Sequence, residues 1–297
     1  MSGGAFAGYH PTVNFLYFTL VLLFSMFFMH PVCLVISLVN AFTYSVTLNG
    51  QRAAAFNLKY MLPMLLVAAL VNPAFNHEGA TILTYLNSGN PLTLESIAYG
   101  LAAAVMIVTV ICWFSCYNTV MTSDKFVYLF GRIIPAMSLI LSMTLRFVPR
   151  FKTQLKVVSN AQKCVGRDVS NGSLLQRAGH GIKILSIMVT WALENAIETA
   201  DSMKSRGYGL PGRTAFSIYR LDKRDKKALY VIGGAGLYIL TASFMGGLYW
   251  RYFPSMKGGL LGVYPVSVFL CYLLLCSVPI VIEIQEERKW KSIQSKI

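Results

Sequence analysis

Residues 13–48 read VNFLYFTLVLLFSMFFMHPVCLVISLVNAFTYSVTL and contain no Asp, Glu, Lys or Arg. A transmembrane helix needs about 20 apolar residues, so this stretch is long enough for two helices. His30-Pro31 divides it, because the residue before a proline disfavours the helical conformation and proline itself lacks a backbone N–H. The sequence therefore predicts two membrane spans, near 13–29 and 32–48.

The overall composition extends this interpretation to the whole chain. Of its 297 residues, 55% are hydrophobic and only 13% are charged, whereas an average soluble domain has roughly 25% charged residues. This excludes an ordinary soluble domain, a disordered chain and a small disulfide scaffold. Further uncharged stretches long enough to cross a bilayer lie at about 60–75, within 96–123, and at 228–250 and 258–282. We expect an all-α, polytopic membrane protein with about six transmembrane helices.

The basic residues are concentrated in the middle of the chain. Lys and Arg number 2 in residues 1–120, 18 in 121–227 and 6 in 228–297, whereas Asp and Glu number 2, 7 and 3. No nucleic-acid-binding motif accompanies this charge, so nucleic acid is not an expected partner. Because the cytoplasmic segments of membrane proteins are enriched in Lys and Arg, we expect a multi-pass protein with both termini in the cytoplasm.

The basic middle region predicts two long amphipathic helices. Its apolar runs, Ile133–Leu145 and Ile184–Leu193, are shorter than a bilayer requires. Each run continues into a segment with apolar residues at helical steps of three and four. These residues are Phe151, Leu155, Val158, Ala161 and Val165 in the first segment and Leu193, Ile197, Ala200 and Met203 in the second. Between them, Gly166–Gly181 with its Asn171-Gly172 pair predicts a bent connector.

The chain is therefore expected to have three regions. Residues 1–132 would form four spans, 133–227 the two amphipathic helices on the inner face of the membrane, and 228–297 two more spans and a basic tail. None of the six predicted spans has a charged residue deep within it, whereas ion-coupled transporters usually keep such residues at mid-membrane. Any transport would therefore draw its energy from outside the membrane part, by way of the amphipathic helices.

Catalytic and metal-binding motifs are not evident in the sequence. The six cysteines and four histidines form no Cys-x-x-Cys pair and no zinc motif, so we expect this chain to bind neither a metal nor another cofactor. Glu194 and Glu198 are four residues apart and are interpreted as part of a solvated helix face. Asp222 and Asp225, inside a basic cluster, keep open an alternative: a membrane enzyme acting on a phosphate-bearing lipid or isoprenoid at the inner face.

Residues 207–214, GYGLPGRT, have the spacing of a phosphate-binding P-loop with Arg in place of Lys. A P-loop needs a strand before it and a helix after it, so that backbone N–H groups point at the phosphates. The pattern here predicts a helix before the segment instead. We therefore interpret Gly207 as the glycine that ends this helix.

Two segments of the middle region carry a family resemblance. Residues 191–209 read WALENAIETADSMKSRGYG, and Arg213-Thr214 and a basic stretch follow. Ala161-Gln162-Lys163, followed by Gly166 and Asp168, forms a similar segment earlier in the chain. These segments resemble the second and first Ala-Arg-Gly regions of the transmembrane T component of energy-coupling factor transporters, the cobalt and vitamin uptake permease family. The hydrophobic layout of nearly the whole chain is similar as well.

The resemblance implies a non-catalytic subunit of an importer in a prokaryotic cell membrane. In that family, the T component bridges a small substrate-binding membrane subunit and two cytosolic ATPases, which bind the ATP, for uptake of a vitamin or metal ion. Ser205-Arg206-Gly207 would form the second motif, in which Arg206 meets acidic groups of an ATPase. The implied ATPase-binding residues around the first motif are Ala161, Gln162, Gly166, Arg167 and Asp168.

The first motif departs from the family pattern. Cys164-Val165-Gly166 stands where Ala-Arg-Gly is expected, and the nearest arginine is Arg167. On a continuous helix, a shift of two residues would rotate the cation by about 200°. Either the chain unwinds there and Arg167 substitutes, or one ATPase contact is weaker. A permease half of a more ordinary ATP-driven transporter is a further alternative.

Overall fold

A computed structural model of the chain describes residues 4–85, 90–131, 135–210, 219–259 and 262–295. The chain separates into two compact units: the first is Met1–Lys125 with Tyr219–Ile297, and the second is Phe126–Ile218. The described elements begin with a 3-10 turn at Phe6–Gly8 and then follow in chain order as α1 (Pro11–Phe27), α2 (Pro31–Asn49), α3 (Gln51–Phe75), β1 (Ile82–Tyr85), β2 (Pro91–Thr93), α4 (Leu94–Val120), α5 (Ser123–Gly131), α6 (Pro135–Cys164), α7 (Leu174–Ser205), α8 (Lys223–Phe244), β3 (Trp250–Arg251), β4 (Lys257–Gly258) and α9 (Val263–Gln294).

The first unit contains the helices predicted to cross the membrane. Four of the described helices, α2, α4, α8 and α9, are long and apolar enough to span a bilayer. Two shorter apolar helices accompany them, α1 and the Lys59–Phe75 part of α3. These six helices lie where the sequence predicts spans, so the predicted all-α, polytopic membrane fold is confirmed. The strands form two short antiparallel hairpins, β1–β2 and β3–β4, that the sequence did not predict.

Two His-Pro pairs begin the first two helices. Pro11 and Pro31 occupy the first helical position, where a missing N–H leaves no helical hydrogen bond unmade. The preceding histidine caps each helix: its Nδ1 accepts the N–H two residues later, at 3.2 Å for His10 and 3.3 Å for His30. The boundary predicted at His30-Pro31 is therefore confirmed.

The helices of the last two predicted spans begin or end at other residues than predicted, for local reasons. The fifth span was predicted to reach residue 250, but α8 ends at Phe244, because Gly246 takes a left-handed conformation (φ +80°) that turns the chain towards β3. The sixth was predicted at 258–282, but residue 258 belongs to β4, and α9 begins at Val263 and continues to Gln294. Its charged end is supported by side chains one turn apart, such as Lys291 Nζ and Glu287 Oε1 at 2.7 Å.

The first unit is held together by a buried core with a few polar contacts. Trp113 on α4 donates through Nε1 to Ser37 Oγ on α2 at 2.9 Å, and this Oγ lies 2.7 Å from Ser25 Oγ on α1. The Tyr17 hydroxyl on α1 donates to the carbonyl of Cys276 on α9 at 3.0 Å. Each of these polar groups has its partner inside the protein, as a membrane environment requires.

The second unit contains the two long helices predicted for the middle region. α6 has 30 residues and α7 has 32. The rings of Phe151 and Trp191 meet edge to face, with centroids 5.2 Å apart. Val158 on α6 packs with Ile184 and Met188 on α7 in a small buried cluster. The two helices are thus joined by one modest apolar contact region, and much of their surface remains exposed.

The connector between these helices is shorter than predicted. The sequence predicted Gly166–Gly181 as connector, but α7 begins directly after Ser173. The Ser173 N–H donates to Gln176 Oε1 at 3.1 Å, and the Gln176 N–H donates to Ser173 Oγ at 3.5 Å. This capping box begins the helix before Gly179 and Gly181, although each helical glycine costs roughly 1 kcal/mol relative to alanine.

The residues before α1 are held by polar contacts to distant parts of the first unit. The carboxylate of Glu283 on α9 accepts the N–H groups of Ala5 and Phe6, at 2.8 and 3.2 Å. The ammonium of Lys125, a buried residue on α5, donates to the carbonyl of Ala7. The sequence did not predict that Glu283 and Lys125 would form hydrogen bonds with the backbone of the N-terminal segment.

Candidate functional site

The second predicted motif forms the C-terminal end of α7. Arg206 is the C-cap residue after Ser205, and Gly207 follows with φ +76°, a left-handed conformation that suits glycine. The N–H groups of Gly207 and Tyr208 donate to the carbonyls three and five residues earlier, at 2.9 and 3.0 Å. The interpretation of Gly207 as the glycine that ends this helix is confirmed.

The first predicted motif forms the C-terminal end of α6 in the same conformation. The helix ends at Cys164, and Gly166 has φ +77°. The N–H groups of Gly166 and Arg167 donate to the carbonyls three and five residues earlier, both at 2.9 Å. The two long helices therefore end in equivalent hydrogen-bonded turns, each with a left-handed glycine at the same position.

The arginines of the two motifs occupy different positions in these turns. When the turns are aligned on their glycines, Val165 corresponds to Arg206, and Arg167 corresponds to Tyr208. Because α6 ends at Cys164, the chain has already unwound before Arg167. The rotation of about 200° expected on a continuous helix therefore does not apply. Whether Arg167 makes the contact assigned to the first motif stays a prediction.

Asp168 stabilises the turn that follows α6. Its Oδ1 accepts the Ser170 N–H at 3.0 Å, and its Oδ2 lies 3.6 Å from Lys163 Nζ. The hydrogen bonds from Ser170, aided by the nearby lysine ammonium, lower the pKa of Asp168 below its ordinary value. Of the other residues assigned to this motif, Ala161 is exposed and Gln162 is half-buried.

The cation at the end of α7 is uncompensated. Arg206 is exposed, and its side chain makes no hydrogen bond or ion pair with any residue that the structure describes. Ser205 is engaged within the helix, where its hydroxyl donates to the Ser202 carbonyl at 2.9 Å. A guanidinium presents a planar fork of N–H donors and can bind a carboxylate through two of them. Arg213-Thr214, assigned to the same motif, lies outside the described residues.

Two arginines that the sequence did not single out share a cavity with Arg206. Arg146 and Arg150 on α6 line it together with Arg206 on α7, and its volume is about 910 Å³. Leu139 and Met143 continue the same side of α6, two turns and one turn before Arg146. The spacing of three and four residues along this row is the sequence signal that could have revealed it.

The acidic pairs weighed in the sequence do not form a metal site. In residues 4–85, 90–131, 135–210, 219–259 and 262–295, no group of three His, Cys, Asp or Glu side chains is arranged to hold a metal ion. Glu194 is exposed, and Glu198 lines the cavity of the arginines. Asp225 is buried: its Oδ2 accepts the Asp222 N–H at 3.1 Å, and its Oδ1 accepts the His10 N–H at 3.3 Å. This pair begins α8 and anchors the N-terminal segment.

Known proteins similar to this chain agree on its family. The CbiQ family, described as cobalt transport protein, matches residues 8–216. The energy-coupling factor transporter transmembrane protein EcfT of Streptococcus equi subsp. equi is 27% identical over 220 residues, which cover 68% of this chain and 80% of that protein. EcfT of Lactobacillus helveticus is 35% identical over 109 residues, 36% of this chain and 39% of that protein. EcfT of Lactococcus lactis subsp. cremoris is 36% identical over 90 residues, 30% of this chain and 34% of that protein.

The family match and the EcfT relatives define a class, the membrane subunits of transporters. Within that class the chain belongs to the CbiQ family, which matches most of its length. The resemblance to the T component of energy-coupling factor transporters is thereby confirmed, and the chain is a transmembrane component of that kind. The similarity covers only 39% of the Lactobacillus helveticus relative, well short of its whole length.

Proposed function

We propose that the chain is the scaffold and energy-transducing subunit of an importer for a vitamin or a metal ion. It links two cytosolic ATPases to a small substrate-binding membrane subunit, and it hydrolyses nothing itself. ATP is bound by the ATPases, and this chain needs no cofactor. The observation that carries the proposal is the pair of long helices with equivalent glycine-capped ends, one of which presents the unpartnered Arg206.

The end of α7 is suited to a groove that contains acidic groups. Arg206 stands at the last turn of the helix, and Gly207 turns the chain away directly after it. A guanidinium–carboxylate pair with two parallel hydrogen bonds fixes orientation as well as distance, which a lysine ammonium does less well. Such a pair would transmit a movement of the ATPase to the helix without slipping.

The long helices extend far enough to carry that movement. At 1.5 Å per residue, α6 and α7 are about 45 and 48 Å long. Because Phe151 on α6 and Trp191 on α7 are in contact, a displacement of one helix would move the other. An apolar cavity of about 950 Å³ that includes Leu155 and Leu185 offers a surface for the substrate-binding membrane subunit. In the proposed complex this region and both chain termini lie on the cytoplasmic side, which the concentration of basic residues favours.

The proposal is tested by co-expression and reconstitution. The full chain would be produced together with its candidate ATPases and small membrane subunit and purified in mild detergent through a tag on this chain. We expect a stable complex and ATP-driven uptake in liposomes only when all partners are present. Solute flux or substrate turnover by the chain alone would refute the proposal and would favour the membrane enzyme. The membrane-enzyme alternative depended on the pair Asp222 and Asp225. The carboxylate of Asp225 instead accepts two backbone N–H groups.

The equivalence of the two helix ends predicts the effect of changing the first motif. Val165→Arg places a guanidinium at the position that Arg206 has in the second motif, so we expect ATPase binding to strengthen about 10-fold to 150-fold, as for a charge-assisted hydrogen bond. Arg167→Ala should change binding less than twofold, because Arg167 is half-buried and lies beyond the glycine. Binding of the purified chain to the ATPases would be measured by biolayer interferometry.

Val165→Lys is the matched control for this prediction. It adds the same charge without the planar fork of donors, so its gain should be clearly smaller. The opposite pattern, a tenfold loss in Arg167→Ala with no gain in Val165→Arg, would show that Arg167 substitutes for the missing arginine.

A further inference from the structure

The cavity lined by Arg146, Arg150 and Arg206, here the arginine cavity, combines cationic groups with an apolar wall. We propose that it binds an anionic phospholipid, whose phosphate lies at Arg146 and Arg150 and whose first acyl carbons lie along Leu139 and Met143. This lipid site goes beyond the coupling of ATPases to transport and does not depend on it.

The positive charge of the arginine cavity favours the binding of an anion. None of the three guanidinium groups forms an ion pair within the part of the chain that the structure describes. Glu198 lines the same cavity, yet it is not within ion-pair distance of any of them. The cavity therefore has three cations and one carboxylate, and its positive charge is not neutralised internally. A phosphate accepts hydrogen bonds from two arginines readily, because each presents a fork of donors.

The position of these arginines along α6 indicates a membrane–water interface. Residues 135–145 of α6 contain no charged side chain, whereas Arg146 and Arg150 begin a basic stretch. Such a change from apolar to basic residues occurs where a chain leaves the hydrocarbon region, and basic pockets at that level bind lipid headgroups. Met143 and Phe147, one turn apart, place an apolar surface beside the guanidinium groups.

A lipid fits this cavity better than a carboxylate or a free phosphate does. At about 910 Å³, the cavity is within the range of sites that enclose a whole small molecule. A carboxylate from a partner protein would meet the arginines but would leave the wall of Leu139, Met143 and Phe147 uncovered. A soluble phosphate would do the same. An amphipathic anion uses both parts of the lining.

Arg206 is kept out of the test because it is assigned to the ATPase contact. The lipid site is probed through Arg146 and Arg150, whose replacement by glutamine removes the charge and retains hydrogen-bonding capacity. Lys156 is a matched control: it is an exposed cation on the same helix and does not line the arginine cavity. A change in the double variant R146Q/R150Q that is absent from K156Q therefore reports on the cavity.

The experiment uses the full chain, purified and delipidated in mild detergent, and native mass spectrometry or calorimetric titration. The probes are dioctanoyl phosphatidylglycerol, dioctanoyl phosphatidylcholine with the same tails, and glycerol 3-phosphate with no tails. We expect phosphatidylglycerol to bind at least tenfold more tightly than either of the others. R146Q/R150Q should lose this preference for phosphatidylglycerol, and K156Q should keep affinity within twofold of the unmodified chain. Circular dichroism would establish that each variant is folded.

Three outcomes would overturn the lipid site. Equal affinity for phosphatidylglycerol and phosphatidylcholine would show that the arginines do not recognise the headgroup charge. Glycerol 3-phosphate binding as tightly as phosphatidylglycerol would show a site for a soluble phosphate. If R146Q/R150Q bound phosphatidylglycerol normally but no longer co-purified with the ATPases, these arginines would be protein contacts instead.

Discussion

Exchange of Arg206 for glutamate is expected to separate this membrane subunit from the ATPases proposed above and to stop ATP-driven uptake. In the proposed complex, the guanidinium meets carboxylates in a groove, so the substitution leaves those carboxylates unpaired and adds a like charge. Loss of one partner of a desolvated charge pair costs about 2–5 kcal/mol, and repulsion adds to this. We expect ATPase affinity to fall at least about thirtyfold and uptake to become undetectable. Co-purification and uptake into proteoliposomes measure the two effects.

Two variants make the result on Arg206 interpretable. Lys183→Glu makes the same type of charge reversal at an exposed position of the same helix, about 35 Å from Arg206 along the axis, and should leave assembly intact. Arg206→Lys keeps the charge but not the fork, and should retain binding at a reduced affinity. If the Arg206→Glu variant supported uptake at the wild-type rate, Arg206 would have no role in the proposed coupling.

The second large effect concerns stability and is expected for Lys125→Met. Lys125 is 6% exposed, and its ammonium donates to the carbonyl of Ala7 and, at 3.0 Å, to that of Val120, the last residue of α4. The final carbonyls of a helix lack partners within it, and they attract a cation. Methionine has a similar size but cannot donate, so two carbonyls would lose their donor at a cost of about 1–3 kcal/mol each.

The expected loss for Lys125→Met is about 3 kcal/mol in total, because the buried methionine recovers part of the cost. At about 2–4 °C per kcal/mol for a chain of this size, the apparent melting temperature in detergent should fall by roughly 6–12 °C. Lys226→Met is the control: Lys226 is an exposed lysine in the first turn of α8, and its removal should shift stability by less than about 0.5 kcal/mol. Equal melting temperatures for the two variants would contradict the role assigned to Lys125.

The membrane helices could be predicted because their signal is local and strong. A charge-free stretch of about 20 residues has few alternatives, and His30-Pro31 marks a boundary through backbone sterics alone. The ends of α8 and α9 were less predictable. They depend on whether a glycine adopts a left-handed conformation, as Gly246 does, or whether charged side chains can pair along the helix, as at Lys291. Such effects are worth only a few tenths to about 1 kcal/mol.

The motifs were found by resemblance, but their geometry was not accessible from the sequence. Nothing in the order of residues shows that the turns at Gly166 and Gly207 are equivalent, because that depends on the hydrogen bonds at the helix ends. The arginine cavity was even harder to predict from the sequence. It requires α6 and α7 to pack side by side, so that Arg146 and Arg206, sixty positions apart, line one space. Periodicity can assign a residue to one face of a helix, but not to a facing helix.

The contacts of the N-terminal segment constrain the order in which the protein can be completed during synthesis. Ala5 and Phe6 donate to Glu283, which lies 278 and 277 positions later, and His10 donates to Asp225, 215 positions later. A ribosome delivers the amino end first, so these backbone groups emerge long before their acceptors exist. The segment before α1 therefore acquires these partners only after α8 and α9 have been made.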